Sequence, residues 1–73
     1  MNSFKKNVLK LLGLKYLFNN HTHEVHDITK EHENCRLDKI ASHNMFYGTK
    51  NDYKGMSEFY NGCRYCMKEM DKG

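Results

Sequence analysis

The sequence predicts a small metal-stapled domain, mainly α, with about three short helices and room for a β-hairpin near residues 45–60. Two observations lead to this fold class. The first is a thin core: only 38% of the 73 residues are hydrophobic, and the mean hydropathy is −0.91. A domain of this length rarely draws more than about 3–5 kcal/mol from its core, so it usually needs a further stabiliser. The second is that all three cysteines lie in two short Cys/His segments.

These segments are His-Glu-Asn-Cys, residues 32–35, and Cys-Arg-Tyr-Cys, residues 63–66. Each places two metal-binding side chains three positions apart, and Cys₃His is an established ligand set for structural zinc. We therefore predict one structural Zn²⁺ bound by His32, Cys35, Cys63 and Cys66, although iron is an open alternative. His43, His26 and His23, in that order, are the substitutes for His32. The alternative interpretation is that the cysteines are small buried hydrophobic residues.

The cysteine count and the N-terminal sequence indicate a reducing compartment. Three thiols cannot all pair as disulfides, and no signal-peptide pattern or membrane-spanning stretch is visible. In the cytosol, clustered Cys and His more often bind metal than form disulfides. We expect a cytoplasmic protein, in the host cytoplasm if the chain is viral.

Hydrophobic periodicity predicts the three helices. The first covers residues 3–12, with Ser3 as its cap and Gly13 as its end. A second short apolar element at 14–18 and a polar connector at 19–26 follow. The second helix begins after Asp27 and carries His32 and Cys35 on one face.

The C-terminal half is predicted to hold a loop followed by the third helix. Residues 44–56 contain several turn-forming residues and a short strand at Met45–Tyr47. The third helix begins at Ser57, and the i, i+4, i+7 spacing places Cys63 and Cys66 on one face. Because Gly62 disfavours a helix, a turn with Cys63 at a knuckle is the alternative.

The N-terminal segment has a different charge from the rest of the chain. We divide the sequence into a basic amphipathic helical segment, 1–18, and a zinc-binding domain, 19–73. Residues 1–23 hold four lysines and no acidic residue. An apolar stripe on this helix has three alternative fates: packing on its own domain, a groove in a partner protein, or an anionic membrane surface. The predicted partner-binding residues are Phe4, Lys5, Lys6, Val8, Lys10, Leu11 and Lys15.

Catalysis is not predicted. The Cys-x-x-Cys pair lacks the βαβ setting of a thioredoxin-like redox site. Residues 21–26, His-Thr-His-Glu-Val-His, resemble the H-x-H-x-D-H motif of metallo-β-lactamase-type hydrolases, but Val25 stands where that motif has an acid. The chain is also too short for that fold.

Composition and charge lead to a functional expectation. Ten of the twelve basic residues are lysines, and Pro and Trp are absent, a bias typical of many phage and low-GC bacterial proteins. We expect a non-catalytic zinc protein that binds and modulates a larger macromolecule, such as a phage-encoded inhibitor or adaptor of host machinery, with a protein as the partner. The alternatives are a non-specific nucleic-acid-binding zinc protein and a membrane-surface-active protein. The oligomeric state is not predicted.

Overall fold

A four-stranded mixed sheet lies at the centre of the fold in the computed structural model, which describes residues 1–72. Two α-helices and five 3₁₀ turns surround it. In chain order the helices and strands are α1 Ser3–Leu11, β1 Tyr16–Asn19, β2 Glu24–Asp27, β3 Met45–Gly48, α2 Lys50–Met56 and β4 Asn61–Gly62. The 3₁₀ turns are Ile28–Lys30, Glu33–Cys35, Leu37–Lys39, Ser42–Asn44 and Lys68–Met70.

The strand order is β3-β1-β2-β4. β1 pairs antiparallel with β2 and with β3, so that Phe18 lies opposite Val25 on one side and Phe46 on the other. β4 runs parallel to β2 over two residues, with Gly62 opposite Val25. The predicted boundary between segments 1–18 and 19–73 falls inside β1, a strand that is paired on both sides.

The core lies on the central strands. Leu17, Phe18, Val25 and Ile28 have no exposed surface. All four residues of β1 are buried, as expected of a central strand covered on both faces. The Phe18 ring meets the edge of Tyr60 at a centroid distance of 5.0 Å, so the C-terminal segment is joined to the sheet.

Helix α1 forms where the sequence predicts it and ends before Gly13, which has a φ of +74° that favours glycine. Asn2, not Ser3, caps it, because the Asn2 Oδ1 accepts a hydrogen bond from the Lys5 N–H at 2.8 Å. Glu31 holds the helix to the domain through Lys6 Nζ and the N-terminal ammonium, each at 3.0 Å. Burial raises the pKa of Glu31, but these two cationic partners outweigh burial and leave the pKa below its usual value.

The prediction of a mainly α fold is wrong, and the second helix is its first error. Asp27 ends β2 and caps only one 3₁₀ turn, accepting from the Thr29 N–H at 2.9 Å. Glu31 then leaves the helical conformation, with φ −52° and ψ 133°, and Arg36 adopts the left-handed conformation with φ 52° and ψ 46°. These two residues break the segment into separate 3₁₀ turns, so His32 and Cys35 do not share a helix face.

The third predicted helix is also absent. Asn61 and Gly62 pair with β2, and a Cβ on Gly62 would lie 2.7 Å from the Met70 Cβ. Sheet pairing and close packing therefore override the helical spacing, and the alternative of a turn at Cys63 is the one observed.

The strand predicted at Met45–Tyr47 is confirmed as β3, but no hairpin follows it. β3 instead pairs with β1, and the expected loop contains α2. A capping box between Thr49 and Asp52 begins that helix, with the Thr49 Oγ1 accepting from the Asp52 N–H at 3.2 Å. Tyr53 then stacks on Tyr16 of β1 at a centroid distance of 4.9 Å.

Candidate metal centre

Four metal-binding side chains converge beside the sheet: His26, Cys35, Cys63 and Cys66. All four are buried, and their ligand atoms lie within 4.8 Å of one another, close enough to hold a metal ion. His26 comes from β2, and Cys35 ends a 3₁₀ turn. Cys63 and Cys66 lie in the turn that follows β4.

Two of the six distances between ligand atoms of the cluster match a tetrahedral zinc site. Zn–S bonds of about 2.3 Å and Zn–N bonds of about 2.0–2.1 Å set neighbouring ligand atoms about 3.5–3.8 Å apart. The Cys35 and Cys63 sulfurs are 3.6 Å apart. The Cys66 Sγ lies 3.7 Å from the His26 Nδ1. Both edges therefore have the length that one central ion requires, and all three cysteines are free thiols.

Backbone amides direct hydrogen bonds at two of the sulfurs. The Asp27 N–H donates to the Cys66 Sγ and the Tyr65 N–H donates to the Cys63 Sγ, each at 3.4 Å. Such donors stabilise thiolates and orient ligands around a metal. The Cys63 N–H also donates to the Val25 carbonyl at 2.9 Å, so sheet pairing fixes where the turn begins.

In the absence of an ion, burial favours the uncharged forms of the side chains in the cluster. Burial lowers the pKa of His26, although Glu24 opposes that shift, so the imidazole stays neutral and able to bind metal. Burial raises the pKa of Cys35 and of Cys66, and it outweighs the backbone hydrogen bonds that favour their thiolates. A divalent cation would reverse this, since a coordinating thiol is deprotonated.

The structure places His26, not His32, with the cysteines. His32 is exposed and caps its own 3₁₀ turn, its Nδ1 accepting from the Asn34 N–H at 3.0 Å. Its ring stacks on Tyr65 at 5.5 Å. The three predicted cysteines do come together, while His43 and His23 lie outside the cluster. The signal missed was the strand itself: once β2 is assigned, the sheet carries His26 towards the residues after β4.

The predicted partner-binding residues divide into two groups. Phe4, Val8 and Leu11 are exposed, by 79%, 39% and 88% respectively, and Lys10 is exposed beside them. The remaining lysines contact the domain. Lys5 lies 5.4 Å from the centre of the Tyr47 ring, Lys15 lies 5.9 Å from that of Tyr16, and Lys6 pairs with Glu31.

The helix turns its other side to the domain, through the buried Leu9. Among residues 1–72, no helix has the length and apolar character needed to cross a membrane.

Comparison with protein-family models, with curated proteins and with solved structures gave no match.

Proposed function

We propose that this protein is a non-catalytic binding module, held in shape by one structural Zn²⁺, that docks helix α1 into an apolar groove on a protein partner. The zinc assignment is supported by the Cys₃His donor set and by cluster edges of 3.6 and 3.7 Å. Four protein ligands complete a tetrahedron and leave no position for substrate or water. The ion therefore serves the fold and not a reaction.

The zinc would cross-link three parts of the chain that lie far apart in sequence. It joins β2, the 3₁₀ turn at Glu33–Cys35 and the C-terminal turn, from residue 26 to residue 66. Structural zinc in small peptides contributes about 10–16 kcal/mol of apparent binding free energy near neutral pH. That exceeds what the small core supplies, so folding and metal binding are coupled.

The exposed apolar face of α1 is the observation that supports partner binding. Phe4, Val8 and Leu11 follow the i, i+4, i+7 spacing of side chains that anchor a helix in a groove. Their own domain does not cover them, because α1 packs through Leu9 and is tethered through Lys6. Leu12, 63% exposed, extends the same face.

The charge of α1 indicates which side chains border the groove on the partner. Helix α1 contains no acidic residue, and Lys10 is exposed next to the apolar face. A groove with acidic side chains on its rim would complement this helix and speed association. A protein groove is favoured over a membrane surface because α1 has only nine residues and membrane affinity grows with the buried apolar area.

Binding of helix variants to a purified partner tests this proposal. The partner is first captured from nuclease-treated lysate by the zinc-loaded chain and identified, and its affinity is then measured with purified components. Leu11→Ala should weaken binding by about 2 kcal/mol or more, as expected of an anchor residue. Lys10→Ala should mainly slow association and reduce its salt dependence.

Lys54→Ala, on α2, is the matched control and should bind like the wild type. Anionic phosphatidylserine vesicles form the second arm of the experiment. The proposal is wrong if Leu11→Ala and Phe4→Ala bind the purified partner as wild type does. It is also wrong if the vesicles, and no protein, show binding that depends on Leu11.

A further inference from the structure

An open cleft of about 540 Å³ lies beside the metal cluster. Its walls come from the β1–β2 turn and from the 3₁₀ turns at Leu37–Lys39 and Ser42–Asn44, and two of the metal-binding residues, His26 and Cys35, also line it. This volume is within the range of about 300–1,000 Å³ that small-molecule sites usually have.

The cleft carries two cations that have no ion-pair partner among residues 1–72. Arg36 and Lys39 line it and are exposed. Within residues 1–72 neither forms an ion pair, since the two ion pairs there both involve Glu31. Among the residues of 1–72 that line the cleft, Glu24 is the one acidic residue. Its Oε1 accepts a hydrogen bond from the Thr22 hydroxyl at 3.3 Å.

The inner end of the cleft has the opposite character. His26 and Cys35, which are buried, line the cleft. With the proposed zinc bound, three thiolates and one neutral imidazole would give the cluster a net charge of about −1. An anionic group would therefore bind near the exposed Arg36 and Lys39. A ligand with a single anionic group and an uncharged ring matches this cleft. The anionic group would lie near Arg36 and Lys39, and the ring would lie towards the other end.

The backbone holds Arg36 in a defined position. Its left-handed conformation, φ 52° and ψ 46°, is uncommon for a residue with a side chain. Both backbone polar groups are used, the N–H donating to the Glu33 carbonyl at 3.3 Å and the carbonyl accepting from the Lys39 N–H at 3.0 Å. The guanidinium thus projects from a fixed turn next to a metal-binding cysteine.

We propose that this cleft binds a phosphate monoester of nucleotide size. The planar guanidinium of Arg36 matches two phosphate oxygens, and Lys39 adds a second cation. His21 and His43 supply further N–H donors on the walls. Ile40 and Ala41 give the cleft an apolar side against which an uncharged ring can pack.

Titration calorimetry on the zinc-loaded full chain tests the proposal, with adenosine monophosphate, adenosine and inorganic phosphate as probes. The monophosphate should bind more tightly than either fragment. Arg36→Asn removes the guanidinium and tolerates the left-handed backbone, and it should weaken binding about tenfold or more. Lys39→Gln should weaken it less, while Lys50→Gln, outside the cleft, should leave it unchanged.

Zinc content, measured alongside, should stay at the wild-type value in all three variants, which separates ligand binding from folding. A short oligonucleotide without terminal phosphates distinguishes a free nucleotide from a nucleic-acid backbone. The proposal is overturned if the monophosphate does not bind, or if Arg36→Asn and Lys39→Gln bind it like wild type. Equal binding of inorganic phosphate, or tighter binding of the oligonucleotide, would also overturn it.

Discussion

The His26 Nδ1 lies 3.7 Å from the Cys66 Sγ although the two residues are 40 positions apart. The parallel pairing of β2 with β4 brings them together, since Val25 is opposite Gly62 and its carbonyl accepts from the Cys63 N–H at 2.9 Å. The histidine of the candidate metal centre is therefore selected by sheet pairing and not by its sequence distance from a cysteine.

Removal of the metal should unfold the protein. A chelator should abolish the cooperative thermal transition of the reduced chain, and restored zinc should recover it, because the ion cross-links segments of a chain with a small core. Cys63→Ser should behave like the chelated wild type. Circular dichroism during a thermal ramp measures this. A metal-free protein with an unchanged melting temperature would contradict it.

Two glycines provide a matched test of the packing around β4. A Cβ on Gly62 would lie 2.7 Å from the Met70 Cβ and 2.8 Å from the Met67 carbonyl oxygen, so Gly62→Ala should cost about 1–3 kcal/mol. Gly55, in α2, has nothing within 4 Å, so Gly55→Ala should be neutral or stabilise by up to about 1 kcal/mol. Urea unfolding of both variants measures the difference. Equal free energies of unfolding would argue against the close packing around β4.

The sequence was sufficient for features that depend on local chemistry. Helix α1, its end before Gly13 and the strand at Met45–Tyr47 were all predicted, since periodicity and turn residues act over a few positions, although the cap of α1 is Asn2 and not the predicted Ser3. The convergence of Cys35, Cys63 and Cys66 also followed from residue type and count.

The predictions of the second and third helices were wrong because the i, i+3 spacing of two side chains has two structural explanations. A Cys-x-x-Cys pair at a metal knuckle has the same i, i+3 separation as two residues on one helix face. Cys63 and Cys66 therefore appeared helical although they lie in a turn. The choice of His32 had the same cause, since it favoured a local pair over His26, which only long-range strand pairing brings near the cysteines.

Metal affinity should rise steeply with pH. Burial raises the pKa of Cys35 and of Cys66 in the folded chain, and a thiol of the unfolded, metal-free chain has the ordinary pKa of about 8.5. In either state both thiols mostly hold their protons at pH 6.5–7.5. Metal binding must then release at least these two protons, and apparent affinity should increase by about 100-fold or more per pH unit. Competition with a chromophoric chelator at pH 6.5 and 7.5 measures this. A pH-independent affinity would show that the thiols are not ligands.

Two leucines of α1 should separate stability from binding. Leu9 is buried, so Leu9→Ala should destabilise the fold by about 2–5 kcal/mol. Leu11 is 88% exposed, so Leu11→Ala should change the unfolding free energy by less than about 0.5 kcal/mol. Chemical denaturation of the two variants tests this. A large loss of stability in Leu11→Ala would mean that the exposed face contributes to the core.

Native mass spectrometry of the reduced protein and two histidine variants measures directly whether His26 binds a zinc ion. We expect one zinc ion per chain in the wild type and in His32→Ala, and loss of that ion in His26→Ala. Zinc retained by His26→Ala and lost from His32→Ala would contradict the described metal centre.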